Sequence, residues 1–428
     1  MHLLPQDQVY WYLKKQTVEP LRKDIKADVV IIGGGMAGLQ SAYAFSKSGL
    51  SVVLLEKSFC GAGASGKSSG FITPDSELSL YDLKKIYGEP AAQTLWQFVT
   101  SGVELIRTQI QDYKLTCDYA VQDTLVVANT QDAFQDDIKK EFEERSRLGY
   151  TGQLYTKSEL GAILGSDQYE GGVSYPGTFG IQAFEFCQQI STILRDRGVQ
   201  IYEESPALSV HDHTVKTPHG QVSADRIIIC MDKFAPDLDL LTSQVYHAQT
   251  FLMLSEPLTQ KQIEQIFPER QFMVWDTDLI YQYYRVNPDN RLMLGGASLW
   301  YTYARKESHN NSHMANSLIT YFKRKFPQVS LNFEYIWPGL IGLSKDIMPI
   351  AGPDKNLKHI YYIAASAGLP WAAALGAYSF DRVIHNRTDL DSYFDPYRTF
   401  PIGSFAQKIL GTQLSFALSN GLRIKKWA

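Results

Sequence analysis

The chain is predicted to be an α/β protein in which a parallel sheet is interleaved with an antiparallel sheet, and three observations predict it. An apolar run over residues 27–32 ends directly in Gly33-Gly34-Gly35-Met36-Ala37-Gly38. After a helix-length segment a second apolar run, 50–55, delivers Glu56 at its end. Far downstream, residues 247–297 read as short aromatic and apolar strands, the pattern of an antiparallel sheet.

The first two observations form one βαβ unit. Gly33 permits the tight turn, Gly35 lets the backbone approach a pyrophosphate, and Gly38 lets the following helix lie close to the strand. Phosphates then sit on the free N–H groups of a helix N-terminus, here Met36 and Ala37. A helix is expected over 37–48, with Leu39, Ala42, Tyr43, Ala44 and Phe45 as its packing face and Gly49 as its stop. Glu56 lies about twenty residues past the turn, where an acid holds a ribose hydroxyl pair. A chance glycine cluster would not come with strand, helix, strand and acid in this order. Lys57 leads into a loop of small residues, among them Gly63, Ala64, Ser65, Lys67, Ser68, Ser69 and Gly70, which can bring many backbone N–H groups to a large polar ligand.

Further helices are expected at 90–113, 130–148 and 179–197, the last returning the chain to the dinucleotide sheet near Val199, with a strand at 124–128 between the first two. A short helix at 316–326 ends at Pro327. Residues 360–380 carry no charge over a membrane-spanning length, but Ser366 to Pro370 break them into a strand and a helix. These changes of period divide the chain into an N-terminal arm (1–26), a discontinuous cofactor domain (27–89, 180–245 and 335–395), a substrate domain (90–179 and 246–334) and a C-terminal tail (396–428).

Composition fits two interleaved domains. The chain has 428 residues, 44% of them apolar and 20% charged, with a formal charge of −4. That length exceeds a usual single core. Nothing in the charge balance points to nucleic acid. The four cysteines, Cys60, Cys117, Cys187 and Cys230, show no CxxC and no metal-type spacing, and the nine histidines form no HExxH pattern. No metal is therefore expected. The N-terminus has no signal-peptide pattern, so a reducing cytoplasm is the expected setting.

The glycine turn, the Glu56-Lys57 pair and Gly63–Gly70 together resemble the FAD signature of the D-amino-acid oxidase superfamily. The nearest likeness is to the branch that contains γ-glutamylputrescine oxidase and glycine- and sarcosine-oxidase-like amine oxidoreductases. The resemblance continues in family order: the arm Val9-Tyr10-Trp11-Tyr12, the entry Pro20 to Val29, Gly198 to Ala207, Ser223 to Cys230, Ser255 to Leu258, Tyr283-Tyr284-Arg285 through Gly296, Trp337 to Gly342 and Pro349 to Gly352. Two places depart from it. Met231-Asp232-Lys233 stands where the family has Ala-Thr-Gly or Ala-Thr-Asn, and Gly368-Leu369-Pro370 stands where it has Gly-x-Gly.

The resemblance implies a Rossmann-like FAD-binding domain carrying an antiparallel substrate sheet. It implies that Ala207 frames the adenine and that Gly342 and the Gly368-Leu369-Pro370-Trp371 turn approach the flavin, with Pro370 removing one N–H donor. FAD is expected to be non-covalent, because the second glycine motif is followed by no histidine and no cysteine occurs after Cys230. The implied reaction is oxidation of a small amine or amino acid to an imine, with O2 or another electron carrier as acceptor. Lys345 is a candidate for promoting the oxygen reaction. If 281–285 is a strand, Tyr281, Tyr283 and Arg285 share one face, able to enclose an amine and to receive a carboxylate, while Gln282 and Tyr284 share the other. Arg291 belongs to a turn. The tail, with Phe405, Ile409, Leu410, Leu414, Phe416 and Leu418 beside Lys408, Arg423, Lys425 and Lys426, reads either as packing on its own protein or as a peripheral membrane contact. A membrane-bound dehydrogenase and a flavin protein without turnover are the alternative functions.

Overall fold

The computed structural model describes residues 6–14, 18–75, 78–278, 280–297, 311–366, 368–400 and 402–424. Its dinucleotide sheet is built on five parallel strands in the order Gln200–Tyr202, Val52–Leu55, Ile25–Ile32, Gly220–Ile229 and Ile360–Ala364. Ile350–Pro353 adds antiparallel to the last of these. The N-terminal half of Gly220–Ile229 instead carries a meander with Thr214–Thr217 and Ser209–His211. Strands buried on both faces need unbroken apolar runs, which Val29 to Ile32 and Val52 to Leu55 supply.

Helix Met36–Phe45 lies on this sheet, and Leu369–Ile384 lies on the helix. Glycines make the approach possible. A Cβ on Gly38 would stand 1.9 Å from the Gly33 carbonyl oxygen, and one on Gly376 would stand 2.4 Å from that of Ala37; Gly33 itself, at φ +109°, sits against the Cys230 carbonyl at the end of the neighbouring strand. Ser41 and Ser379 bridge the helices through their hydroxyls at 2.8 Å. Glu89–Asp112 completes the layer, its Gly102 seated against the Pro370 carbonyl.

The second sheet has nine strands, in the order Gln6–Asp7, Phe333–Leu343, Tyr246–Pro257, Arg291–Gly296, Tyr283–Val286, Met273–Asp276, Thr124–Ala128, Gly171–Tyr175 and Gln153–Thr156. All neighbours are antiparallel except the first pair and the pairing of Met273–Asp276 with Thr124–Ala128. Phe333–Leu343 pairs with Tyr246–Pro257 almost end to end. Residues 335–343 therefore belong to the antiparallel sheet, whereas the change of sequence period had put them with the cofactor domain. Two other expectations shift. Residues 247–297 contain a helix, Gln260–Ile266, opened by a Thr259/Gln262 capping box. The helix expected from 179 starts at Ala183, because Phe179–Gly180 forms a short strand between Phe71–Ile72 and Ala120–Val121. The charged helix expected over 130–148 forms, with a π-helical stretch at Phe134–Lys139.

Behind the antiparallel sheet, helix Asn311–Lys325 covers a buried polar chain. Tyr284, Tyr169 and Tyr321 are joined hydroxyl to hydroxyl at 3.3 and 3.1 Å, and Tyr321 donates to Asp276 Oδ2 at 2.9 Å. Asp276 Oδ1 accepts from the backbone N–H of Asp278 and Gln282, which folds the 277–282 loop around the carboxylate. Lys325 donates to Asn129 and to the Gln168 carbonyl and lies 3.9 Å over the Tyr169 ring. Burial, with Asp278 adding a like charge, pushes the Asp276 carboxyl up to about 6, and burial pushes Lys325 down to about 8.

A carboxyl whose folded pKa exceeds its unfolded value favours folding most at low pH, and that advantage is lost as pH rises through the folded pKa. Asp276→Asn removes this dependence. Relative to the parent, the variant is expected to be roughly 2–3 kcal/mol less destabilised at pH 7 than at pH 4, from a shift of about two pKa units. Urea unfolding at both pH values checks this, and an equal penalty at both contradicts it.

Candidate active site

A cavity of ≈ 640 Å³ opens at the C-terminal ends of the parallel strands. Gly33, Gly35, Met36 and Ala37 line it, so the first turn of Met36–Phe45, whose N–H groups find no acceptor within the helix, faces the space. Met36 N–H donates to Ser65 Oγ at 2.9 Å, fastening the glycine turn to the serine-rich loop. A Cβ on Gly35 would meet only Ser65 Oγ, and one on Gly63 would meet nothing within 4 Å. These glycines leave room for a ligand against bare backbone. Gly38 does not line the cavity. It lies against the Gly33 carbonyl, where a Cβ would stand 1.9 Å from the oxygen.

Glu56 stands at the end of Val52–Leu55 on the cavity wall. Its carboxylate accepts from Gly34 N–H at 2.7 Å and Ser58 N–H at 2.9 Å, half of the roughly four lone-pair positions a carboxylate offers. Burial raises its pKa against the pull of those two donors. The remaining acceptor capacity suits a vicinal diol. Lys57, Ala207, Leu208, Phe234 and Leu238 continue the wall, with the Lys57 ammonium 3.1 Å from the centroid of the Phe234 ring. Volume, helix N-terminus, acid and apolar end match the phosphates, ribose and base of a dinucleotide.

The loop residues are shared out. Ala64, Ser65 and Lys67 line the cavity with Gly63, whereas the Ser68 hydroxyl turns back to the Ser65 carbonyl. Ser69 gives its carbonyl to Arg285 Nε at 2.8 Å. Gly70, at φ +72°, abuts the Ile181 carbonyl, which accepts from Arg285 Nη2 at 2.7 Å, and Gln122 Oε1 accepts from Nη1 at 3.4 Å. Arg285 is thus fully buried, and burial pushes its pKa down to about 10.

Tyr283 and Arg285 lie on one face of the strand, meeting Phe71 and the Ser69 carbonyl but not lining the cavity, and Tyr284 enters the opposite core, as strand alternation requires. Tyr281 lies in the loop before the strand, not in it. Its ring nevertheless reaches Tyr283, with centroids 5.9 Å apart, and Tyr283 reaches Phe71 at 5.8 Å. Trp275 joins Phe71 at 5.9 Å. Four partly buried rings therefore form a wall running from the end of the serine-rich loop to the 277–282 loop.

At the other end, Gly342 N–H donates to Asp232 Oδ2 at 2.8 Å, so Gly342 anchors the Met231-Asp232-Lys233 departure and does not line the cavity. Lys233 donates to the Leu340 carbonyl. Gly368 caps helix Leu369–Ile384 at φ +97° with Pro370 in the first turn. The Trp371 ring packs between Phe98 and Phe394 in the core, and Ser366 and Ala372 supply the cavity lining here. Ala367 lies outside the described residues. Lys345 is buried under the tail, donating to the Ile402 carbonyl at 2.9 Å, and does not line the cavity.

Sequence reasoning missed the roof. Tyr12 lines the cavity and donates to the Gly61 and Ala62 carbonyls, and Trp11 Nε1 donates to the Gly66 carbonyl at 2.6 Å while packing edge-on against Trp337. The run Val9-Tyr10-Trp11-Tyr12 was the available signal. Phe234, Asp237 and Leu238, from the short helix Asp232–Leu238, carried none.

Comparison with known proteins agrees with this geometry. A profile of the family described as "FAD dependent oxidoreductase" matches residues 28–381. Gamma-glutamylputrescine oxidoreductase of Escherichia coli is 28% identical over 82% of this chain and 81% of its own length. A Haemophilus influenzae protein named "Probable oxidoreductase OrdL" is also 28% identical, over 82% and 80%. Among solved structures, glycine oxidase from Geobacillus kaustophilus superposes with a TM-score of 0.74 over 88% of this chain and 99% of its own, at 20% identity. L-proline dehydrogenase from P. horikoshii gives 0.73 over 87% and 98%, at 18% identity. Glycine cradle, strand-end acid and profile converge: the chain belongs to the FAD-dependent oxidoreductase family, and FAD is the cofactor of that family.

Proposed function

We propose that this enzyme oxidises a small primary or secondary amine or an amino acid to an imine, which water hydrolyses, with O2 as the electron acceptor. The observation that carries the reading is the aromatic wall of Phe71, Trp275, Tyr281 and Tyr283, which starts where the cofactor loop ends. Ring faces attract an ammonium and shield the neutral amine from water once it has lost its proton. FAD supplies the two-electron acceptor when bound. Met36, Ala37 and the 63–67 loop would hold its phosphates, Glu56 its ribose, and Ala207 with Phe234 would flank its base. Arg285 acts as a positioning residue, tying the loop on which the cofactor rests to the strand that carries Tyr283. The names of the relatives, which include a γ-glutamyl amine oxidoreductase and a glycine oxidase, favour the same substrate class. Four buried cysteines without a disulfide suit a reducing cytoplasm.

Three outcomes follow. Anaerobic mixing with polyamines, γ-glutamyl amines, N-methyl amino acids and D-amino acids should bleach the flavin absorbance with at least one class, and aerobic turnover should release hydrogen peroxide; a flavin that no member reduces sinks the proposal. Acid precipitation should leave a colourless pellet and yellow supernatant, because FAD is held without a covalent bond, and yellow protein would refute that. Arg285→Gln should lower stability by about 1–3 kcal/mol, since it leaves buried carbonyl acceptors without their donors, and should lower the flavin-to-protein ratio with it. A raised KM for carboxylate-bearing substrates at unchanged melting temperature and flavin content would instead make Arg285 a substrate ligand.

A further inference from the structure

The C-terminal tail is amphipathic in the reverse sense. In helices Ser404–Leu410 and Thr412–Ile424 the inward side carries Gln407, Ser415, Ser419 and Asn420, all buried, with Phe416 as the apolar contact to Tyr246. The outward side carries Phe405 (80% exposed) and Ile409 (72%), four residues apart, then Leu414 and Leu418, again four apart. The polar side has a clear job. Asn420 donates to the Ser344 and Lys345 carbonyls at 2.9 and 3.1 Å, Lys345 donates to Ile402, and Arg398 makes a bidentate pair with Asp346 at 2.8 and 2.7 Å. The tail is therefore fixed to the turn that follows Phe333–Leu343, and its apolar row is held outward. Four large apolar side chains exposed on two consecutive short helices mark a surface that is covered in use.

Charge identifies the cover. Residues 396–428 contain no Asp or Glu but five basic residues, Arg398, Lys408, Arg423, Lys425 and Lys426. The whole chain has a formal charge of −4, so residues 1–395 carry −9 against +5 in the tail. Arg398 is paired with Asp346 and nearly buried, and Lys408 is exposed beside Ile409; Lys425, Lys426 and the side chain of Arg423 lie outside the described residues. We infer that the tail is a docking surface for an anionic lipid bilayer, with Phe405, Ile409, Leu414 and Leu418 entering the headgroup boundary and Lys408 meeting acidic headgroups. This is the arrangement of an interfacial helix, whose binding combines apolar burial with attraction to anionic lipid. No helix among the described residues is long and apolar enough to cross a membrane, so the contact is one of surface docking through this tail.

The test uses the FAD-loaded full chain and vesicles of phosphatidylcholine alone or mixed in equal parts with phosphatidylglycerol. The protein should pellet with the mixed vesicles and much less with phosphatidylcholine, and added salt should release it. The Phe405→Ser/Ile409→Ser double variant should lose roughly tenfold or more in partitioning, as expected for two apolar side chains. Lys408→Glu should also lower binding to the mixed vesicles. Flavin content and anaerobic flavin reduction should stay unchanged in both variants. Absence of pelleting with mixed vesicles overturns the inference. So does light scattering that shows a dimer broken by the double variant without vesicle binding, because the covered face would then belong to a second copy of the chain.

Discussion

The constraint on which the rest depends is the backbone-to-backbone contact around helix Met36–Phe45. The helix is clamped between the Ile25–Ile32 strand and the Leu369–Ile384 helix at separations that admit no Cβ on Gly38 or Gly376. Close packing of this kind fixes where the first-turn N–H groups point, and a phosphate site needs that fixity, because donors that wander cost entropy each time a ligand binds. The clamp also explains why residues far apart in the chain are needed together. The strand and the glycine turn come early, while the helix that presses them into place comes some three hundred residues later.

A second tie joins the two sheets. Arg285 leaves the antiparallel sheet and ends on the carbonyls of Ser69 and Ile181, at the edge of the cofactor loop. A buried guanidinium is costly unless its donors are met, and here two of the three acceptors are backbone oxygens from the cofactor segments, Ser69 and Ile181, with Gln122 Oε1 as the third. The cost of burial becomes a means of registration: the aromatic wall and the cofactor cradle keep one geometry because the charge between them has nowhere else to go. On the far side of the same strand, Tyr284 enters the Tyr169–Tyr321–Asp276 chain, so alternate residues of one short strand serve cofactor loop and rear core.

The cofactor half was readable because its signals are local. Gly33 to Gly38, Glu56 and the Gly63–Gly70 loop are contiguous and each has a steric or hydrogen-bonding reason that survives without a partner in view. The alternation that set Tyr283 and Arg285 on one face was equally local. Arg285 itself was misleading: an arginine near a proposed substrate looks like a carboxylate ligand until Ser69 and Ile181, distant in sequence, are seen to take its donors. Lys345 reads as a loop lysine for the same reason, since Ile402 and Phe416, which bury it, lie far along the chain. The boundary at residue 335 failed because a run such as Phe333–Leu343 is apolar whichever sheet it joins, and only the partner strand decides.

The roof over the cavity has a consequence for how the protein comes to hold its cofactor. Tyr12 and Ala372 line the same space, and Trp11 completes its contacts only when Trp337 is beside it. The glycine turn is local in the chain, yet the cavity it faces is closed only by residues some three hundred positions further on, Ser366 and Ala372 among them. A chain without helix Leu369–Ile384 would lack that part of the cavity wall and would leave the face of Met36–Phe45 that the helix covers open to water.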